Sequence, residues 1–156
     1  MKVLGLLLII ISATYVSAAD ILRPFSSDLC TGYSEGTKTK PHLWESCCIK
    51  HDLFLWAGGT HQQRLKVDAG LRSCVKATGQ SMHSYLIWLG VRAGSFSPIK
   101  IKGKQWGNAW SEKTRGQALS LEEIEMLQES LLNHSEMSIE AIEEFASELR
   151  IRNSVL

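Results

Sequence analysis

Four cysteines constrain this chain more than any other feature, and two of them, Cys47 and Cys48, are adjacent. Adjacent cysteines inside a helix are poor partners for each other, so each must reach a separate part of the chain. Four cysteines admit three pairings in principle. The stretch from Trp44 to Cys74 narrows them, because it reads as two antiparallel helices joined at Gly58, Gly59 and Thr60. Before the turn, Trp44, Cys47, Cys48, His51 and Leu55 recur at helical spacing; after it, Leu65, Val67, Leu71, Cys74 and Val75 form an apolar stripe. The glycines end the first helix, and Thr60 with Gln63 makes a capping box that starts the second. In such a hairpin, residues nearly equidistant from the turn face each other. Cys47 and Cys74 are one such pair, and His51 and Asp68 are another. Cys47 and His51 share one helix face, Cys48 and Asp52 the next. The expectation is a Cys47–Cys74 clamp with His51 and Asp68 one turn beyond it, which leaves Cys30 for Cys48.

Disulfides need an oxidising compartment. Residues 1–18 have the form of a secretory signal: Lys2, an apolar run over residues 3–11, then the small residues that precede a cleavage site. The run is shorter than the ~20 residues that span a bilayer, so a secreted or periplasmic protein is expected rather than an anchored one. Export also disfavours the free thiolates that a zinc site would need, and there is no CxxC spacing. Of 17 basic residues Lys2 leaves with the signal, so 16 remain against 16 acidic ones. A near-neutral chain without a polybasic run gives no indication of a nucleic-acid partner, and net charge alone encodes no capture by anionic membranes. The length suits one domain over residues 19–156.

The fold class expected is mainly α, a disulfide-clamped antiparallel helical hairpin with additional C-terminal helices. Residues 19–40 are polar and turn-rich, and Pro41 stands near a helix start. Residues 81–93, with Met82, Tyr85, Leu86, Ile87, Trp88, Leu89 and Val91, predict a third, largely buried helix closed by Gly94. Within it Tyr85 is either a partner for Asp68 or a plain core tyrosine. Residues 99–102 alternate as a short strand would, and Trp106 and Trp110 are expected to cover the core. Ser120 with Glu123 opens an acidic amphipathic helix carrying Leu121, Ile124, Leu127 and Leu131. Ile139, Ile142, Phe145 and Leu149 repeat the pattern, giving a helical extension over about residues 117–156.

Ester hydrolysis needs a base for the attacking nucleophile and positive charge for the developing oxyanion. His51 suits the first role, since imidazole titrates near neutrality, and Asp68 would fix its tautomer. Asp52, next to His51, is a carboxylate that could serve a cation. Singly, each has an ordinary reading: a core histidine, a surface acid, and an Asp68 paired with Arg64 or Arg72 one turn away. Their joint placement beside a disulfide favours chemistry. His42, His61, His83 and His134 have no comparable partner and read as surface or structural residues.

Cys47-Cys48-Ile49-Lys50-His51-Asp52 resembles the CCxxHD signature of the secreted phospholipase A2 superfamily, and Asp68 precedes Cys74 by the interval kept in that family's second helix. The resemblance covers about residues 28–76, and the short turn makes the chain similar to a compact, bacterial-type member rather than to the vertebrate enzymes with a β-wing. It implies the same two disulfides and a Ca2+ ion held by Asp52 and by the carbonyls of Leu29, Thr31 and Tyr33. It also implies His51 and Asp68 as the catalytic pair, activating water against the sn-2 acyl ester of glycerophospholipids at a membrane surface. One departure stands out. The family's loop carries a CGxGG-like glycine cluster, whereas residues 30–37 offer only Gly32 and Gly36. A catalytically inactive lipid- or protein-binding module of the same fold is therefore the alternative, and a small disulfide-stabilised structural domain the third reading.

Overall fold

The computed structural model describes residues 22–96, 105–110 and 116–154. The expected signal segment, residues 1–18, and the expected strand over residues 99–102 lie outside them. Five helices follow one another: α1 (Glu45–Ala57), α2 (His61–Ala77), α3 (Ser81–Phe96), α4 (Leu121–His134) and α5 (Ile139–Ser154). The only β pairing among the described residues is an isolated bridge between Thr60 and Gly116. The molecule is mainly helical, with Cys30–Cys48 and Cys47–Cys74 as its disulfides and Cα–Cα distances of 5.1 and 5.8 Å.

Helices α1 and α2 run antiparallel, and the turn between them is built by local chemistry. Gly58 and Gly59 take φ of 85° and 130°, values that a side chain would resist. Gly58 has a second reason to be glycine, since a Cβ there would lie 2.7 Å from the Gly107 Cα. The close approach lets residues 105–110 cap the end of α1, whose last carbonyls lack partners within the helix. Gly107 N donates to Leu55 O at 2.7 Å and Ala109 N to Trp56 O at 3.0 Å. The Trp110 indole donates to Ala57 O, and the Trp106 indole to Gly59 O. The two tryptophans thus cover the core as expected, and they also close the hairpin turn. Thr60 Oγ1 accepts from Gln63 N while the Gln63 side chain accepts from Thr60 N, completing the capping box.

Helix α1 separates two cores. One face, with Cys47, Cys48 and the fully buried Trp44 just before the helix, packs with Leu71 and Val75 of α2 and Ile87 of α3. The other face, with Leu53, Phe54 and Trp56, packs on Ile124, Leu127 and Leu131 of α4 and Ile142, Phe145 and Leu149 of α5. Lys50 on α1 bridges to Glu144 and Glu148 of α5, and Gln63 of α2 donates to the Arg152 carbonyl. The C-terminal pair is thus a buttress behind the hairpin. Ser120 and Glu123 form the expected capping box of α4, although Leu121 and Ile139, each in the first turn of its helix, are exposed.

Residues 41–44 form turns, so Pro41 stands just before α1, which starts at Glu45. One expectation is corrected. Helix α3 is not largely buried and does not stop at Gly94. It packs on α2 through Ser84, Ile87 and the half-buried Val91, while Met82, Tyr85, Leu86 and Leu89 are exposed. Apolar residues stand on both sides of α3, so their abundance does not say which side faces the core.

Candidate functional site

Helix geometry places His51 and Asp52 in the second turn of α1, just beyond the paired cysteines, and Asp68 in the middle of α2. His51 Nε2 lies 3.0 Å from Asp68 Oδ1, with both residues buried. A carboxylate can only accept, so the imidazole carries a proton on Nε2, and the neutral ring has its lone pair on Nδ1. That nitrogen lies 3.9 Å from Asp52 Oδ1, too far for a hydrogen bond but close enough for attraction. Burial alone would lower the imidazole pKa. The Asp52 and Asp68 carboxylates outweigh it and hold His51 above its ordinary value. Burial likewise would raise Asp68, yet hydrogen bonds from His51 and Arg92 hold it below the usual carboxylate range.

The second oxygen of Asp68 belongs to α3. Arg92 Nη1 donates to Asp68 Oδ2 at 2.9 Å, so the buried carboxylate is held by two donors from two helices. Tyr85 does not fill this role: it is exposed, and its ring and that of Trp88 flank the Arg72 guanidinium. Arg92 left no local trace in the sequence, because its contact is made across 24 residues between separate helices.

Asp52 faces the loop tethered by the Cys30–Cys48 disulfide. Ser27 Oγ donates to Asp52 Oδ2 at 2.7 Å and accepts from Leu29 N at 3.0 Å, fastening the loop entrance to the carboxylate. Leu29 takes φ of 64° and Gly32 φ of 72°. A bulky residue in the left-handed region is uncommon, and such positions collect at ligand clamps. Leu29, Thr31 and Tyr33 line the same pocket as His51, Asp52 and Asp68. A carboxylate is a hard oxygen donor, of the kind that calcium takes together with backbone carbonyls. Among the described residues no group of three or more His, Cys, Asp or Glu side chains could hold a metal. One carboxylate with several carbonyls is a different kind of site, and every cysteine among the described residues is in a disulfide.

The pocket has a volume of about 720 Å³ and runs from this loop along α2 and α3 to Trp106. Its polar end holds His51 and Asp52, while Leu55, Leu71, Leu86, Ile87 and Val91 supply an apolar wall. Of the histidines read as partnerless, His83 lies 2.8 Å from the Tyr33 hydroxyl, His42 pairs with Glu45, and His61 lines the pocket. Compared with known proteins, the chain matches no protein-family model, no curated protein and no solved structure.

Proposed function

We propose that the protein is an exported, calcium-dependent esterase of the phospholipase A2 type, hydrolysing the sn-2 acyl ester of glycerophospholipids at a membrane surface. The observation that carries this reading is the orientation of His51. Its Nε2–H is committed to Asp68, so Nδ1 is the basic nitrogen, beside Asp52 and in a pocket with an apolar wall. A water at Nδ1 would give up its proton there as it attacks an ester carbonyl, and Asp68 would stabilise the imidazolium that forms. The proton then returns from Nδ1 to the leaving alkoxide. Asp52 and the carbonyls of Leu29, Thr31 and Tyr33 would hold Ca2+, which supplies the positive charge that an ester oxyanion needs. The apolar wall suits an acyl chain, and the cavity is within the size range of ligand pockets.

The surface supports a lipid substrate. Besides the buried Asp68–Arg92 pair, helices α2 and α3 carry Arg64, Lys66, Arg72 and Lys76 and no other acid. The exposed side chains of Met82, Tyr85, Leu86 and Leu89 stand on the same unit, and Leu86 also lines the pocket. Two disulfides fit the oxidising compartment that export provides, and among the described residues no helix is long and apolar enough to cross a membrane.

A second reading has an observation of its own. The loop is poor in glycine and Ser27 already occupies one oxygen of Asp52, which favours a phospholipase A2-type module that binds lipid or protein without hydrolysis. Calorimetric titration with calcium separates the two. The esterase reading expects the wild type to bind calcium at millimolar levels or below and Asp52→Asn to lose it while keeping its circular dichroism. Equal binding by Asp52→Asn would remove Asp52 from the metal site, and no binding by the wild type would favour the non-catalytic module.

A further inference from the structure

We propose that His83 is a positioning residue for the calcium loop: with Trp44 it forms a socket that seats the Tyr33 side chain and so sets the course of residues 30–35. The inference rests on the calcium reading of that loop and answers its main difficulty, the missing glycines. Tyr33 is anchored at its tip, where the hydroxyl is hydrogen-bonded to His83 Nδ1 at 2.8 Å. Its ring meets the imidazole edge-on, with centroids 6.0 Å apart and planes at 74°. The imidazole in turn lies against the Trp44 indole, with centroids 5.0 Å apart and planes at 31°.

Trp44 is fully buried and holds the next part of the loop directly. Its indole donates to the Ser34 carbonyl at 2.7 Å, and its backbone N–H donates to the Glu35 carbonyl at 2.9 Å. Upstream, Tyr33 N donates to the Cys30 carbonyl at 2.7 Å, and Cys30 is bonded to Cys48. The loop is thus referenced to α1, which presents Asp52, and to α3, which presents His83. A backbone carbonyl has no side-chain freedom with which to reach an ion, so its position is set by whatever fixes the chain. Where a glycine cluster would let the chain adopt the path, side-chain anchors here impose it. Tyr33, one of the expected carbonyl donors, carries such an anchor on its own side chain. Freeing it means that binding must order the segment, and ordering about one residue weakens affinity about tenfold.

The test measures calcium affinity by calorimetry for the wild type, Tyr33→Phe, His83→Phe, the double variant and His83→Asn, with melting temperatures taken in chelator. Phenylalanine at position 83 keeps a ring against Trp44 and removes the hydrogen bond; asparagine keeps a polar atom near the place of Nδ1. Each phenylalanine variant is expected to bind calcium about tenfold more weakly. The double variant should lose no more than either single one, His83→Asn should recover most of the loss, and metal-free melting should shift little. Unchanged affinity in both single variants would overturn the positioning role, as would additive losses or a loss tracking metal-free stability without rescue by asparagine. A wild type that binds no calcium would overturn the calcium reading and this inference together. Calcium binding by the wild type with unchanged variants would overturn this inference alone.

Discussion

His51 and Asp68 were within reach of the sequence because a hairpin with a short turn behaves as a ruler: equal distances from Gly58, Gly59 and Thr60 bring residues face to face. Ser27, His83 and Arg92 were not, since each acts on a residue from another element through side-chain contacts with no periodic signature. Arg92 matters to the pair because it shares the Asp68 carboxylate. In the metal-free protein this pairing gives a pH-dependent stability whose sign follows from the two shifts. Asp68 is held below its ordinary value, so its contribution is present above about pH 4 and is lost as pH falls through the lower folded pKa. His51 is held above its ordinary value, so its contribution is complete below about pH 6.5 and is lost as pH rises through the higher folded pKa. Urea unfolding in chelator should therefore find Asp68→Asn destabilised by about 3 kcal/mol, the cost of breaking a buried ion pair. That difference should be largest between roughly pH 4 and 6.5 and smaller on either side. A difference independent of pH would mean that the two groups are not coupled as ions.

At the scale of elements, the capping boxes of α2 and α4 were legible because capping depends on side chains three residues apart, whatever the tertiary setting. Thr60→Ala should cost about 1 kcal/mol by thermal or urea unfolding, and no change would mean that Trp106 and residues 107–110 hold the turn unaided. The amphipathic stripes of α4 and α5 pointed to their buried faces, since the acidic residues left only one side apolar. Helix α3 gave no such contrast, and its solvent side could be found only from its packing. The Cys47–Cys74 bridge ties α1 to α2 a turn from the His51–Asp68 pair. Its removal by paired serine substitution should cost about 2–5 kcal/mol in unfolding free energy. Peptide mapping without reduction should recover Cys30 joined to Cys48; finding it joined to Cys74 would contradict the arrangement of the loop.

For the whole molecule, near-neutral net charge conceals a polar distribution. Helices α2 and α3 are basic, whereas residues 121–154 carry nine glutamates against two arginines. A sum over the chain could not show this, because the two halves cancel. Leu89→Glu should weaken co-sedimentation with anionic vesicles while sparing hydrolysis of a dispersed short-chain ester, and equal losses of both would place the effect in the pocket rather than on the surface. The central proposal is that His51 acts as a base in a calcium-dependent reaction, and fatty-acid release from phospholipid vesicles tests it directly. The wild type should release fatty acid only without chelator, Asp68→Asn should retain part of the rate, and His51→Gln should release none while still binding calcium. Full activity in His51→Gln, or hydrolysis that persists in chelator, would contradict it.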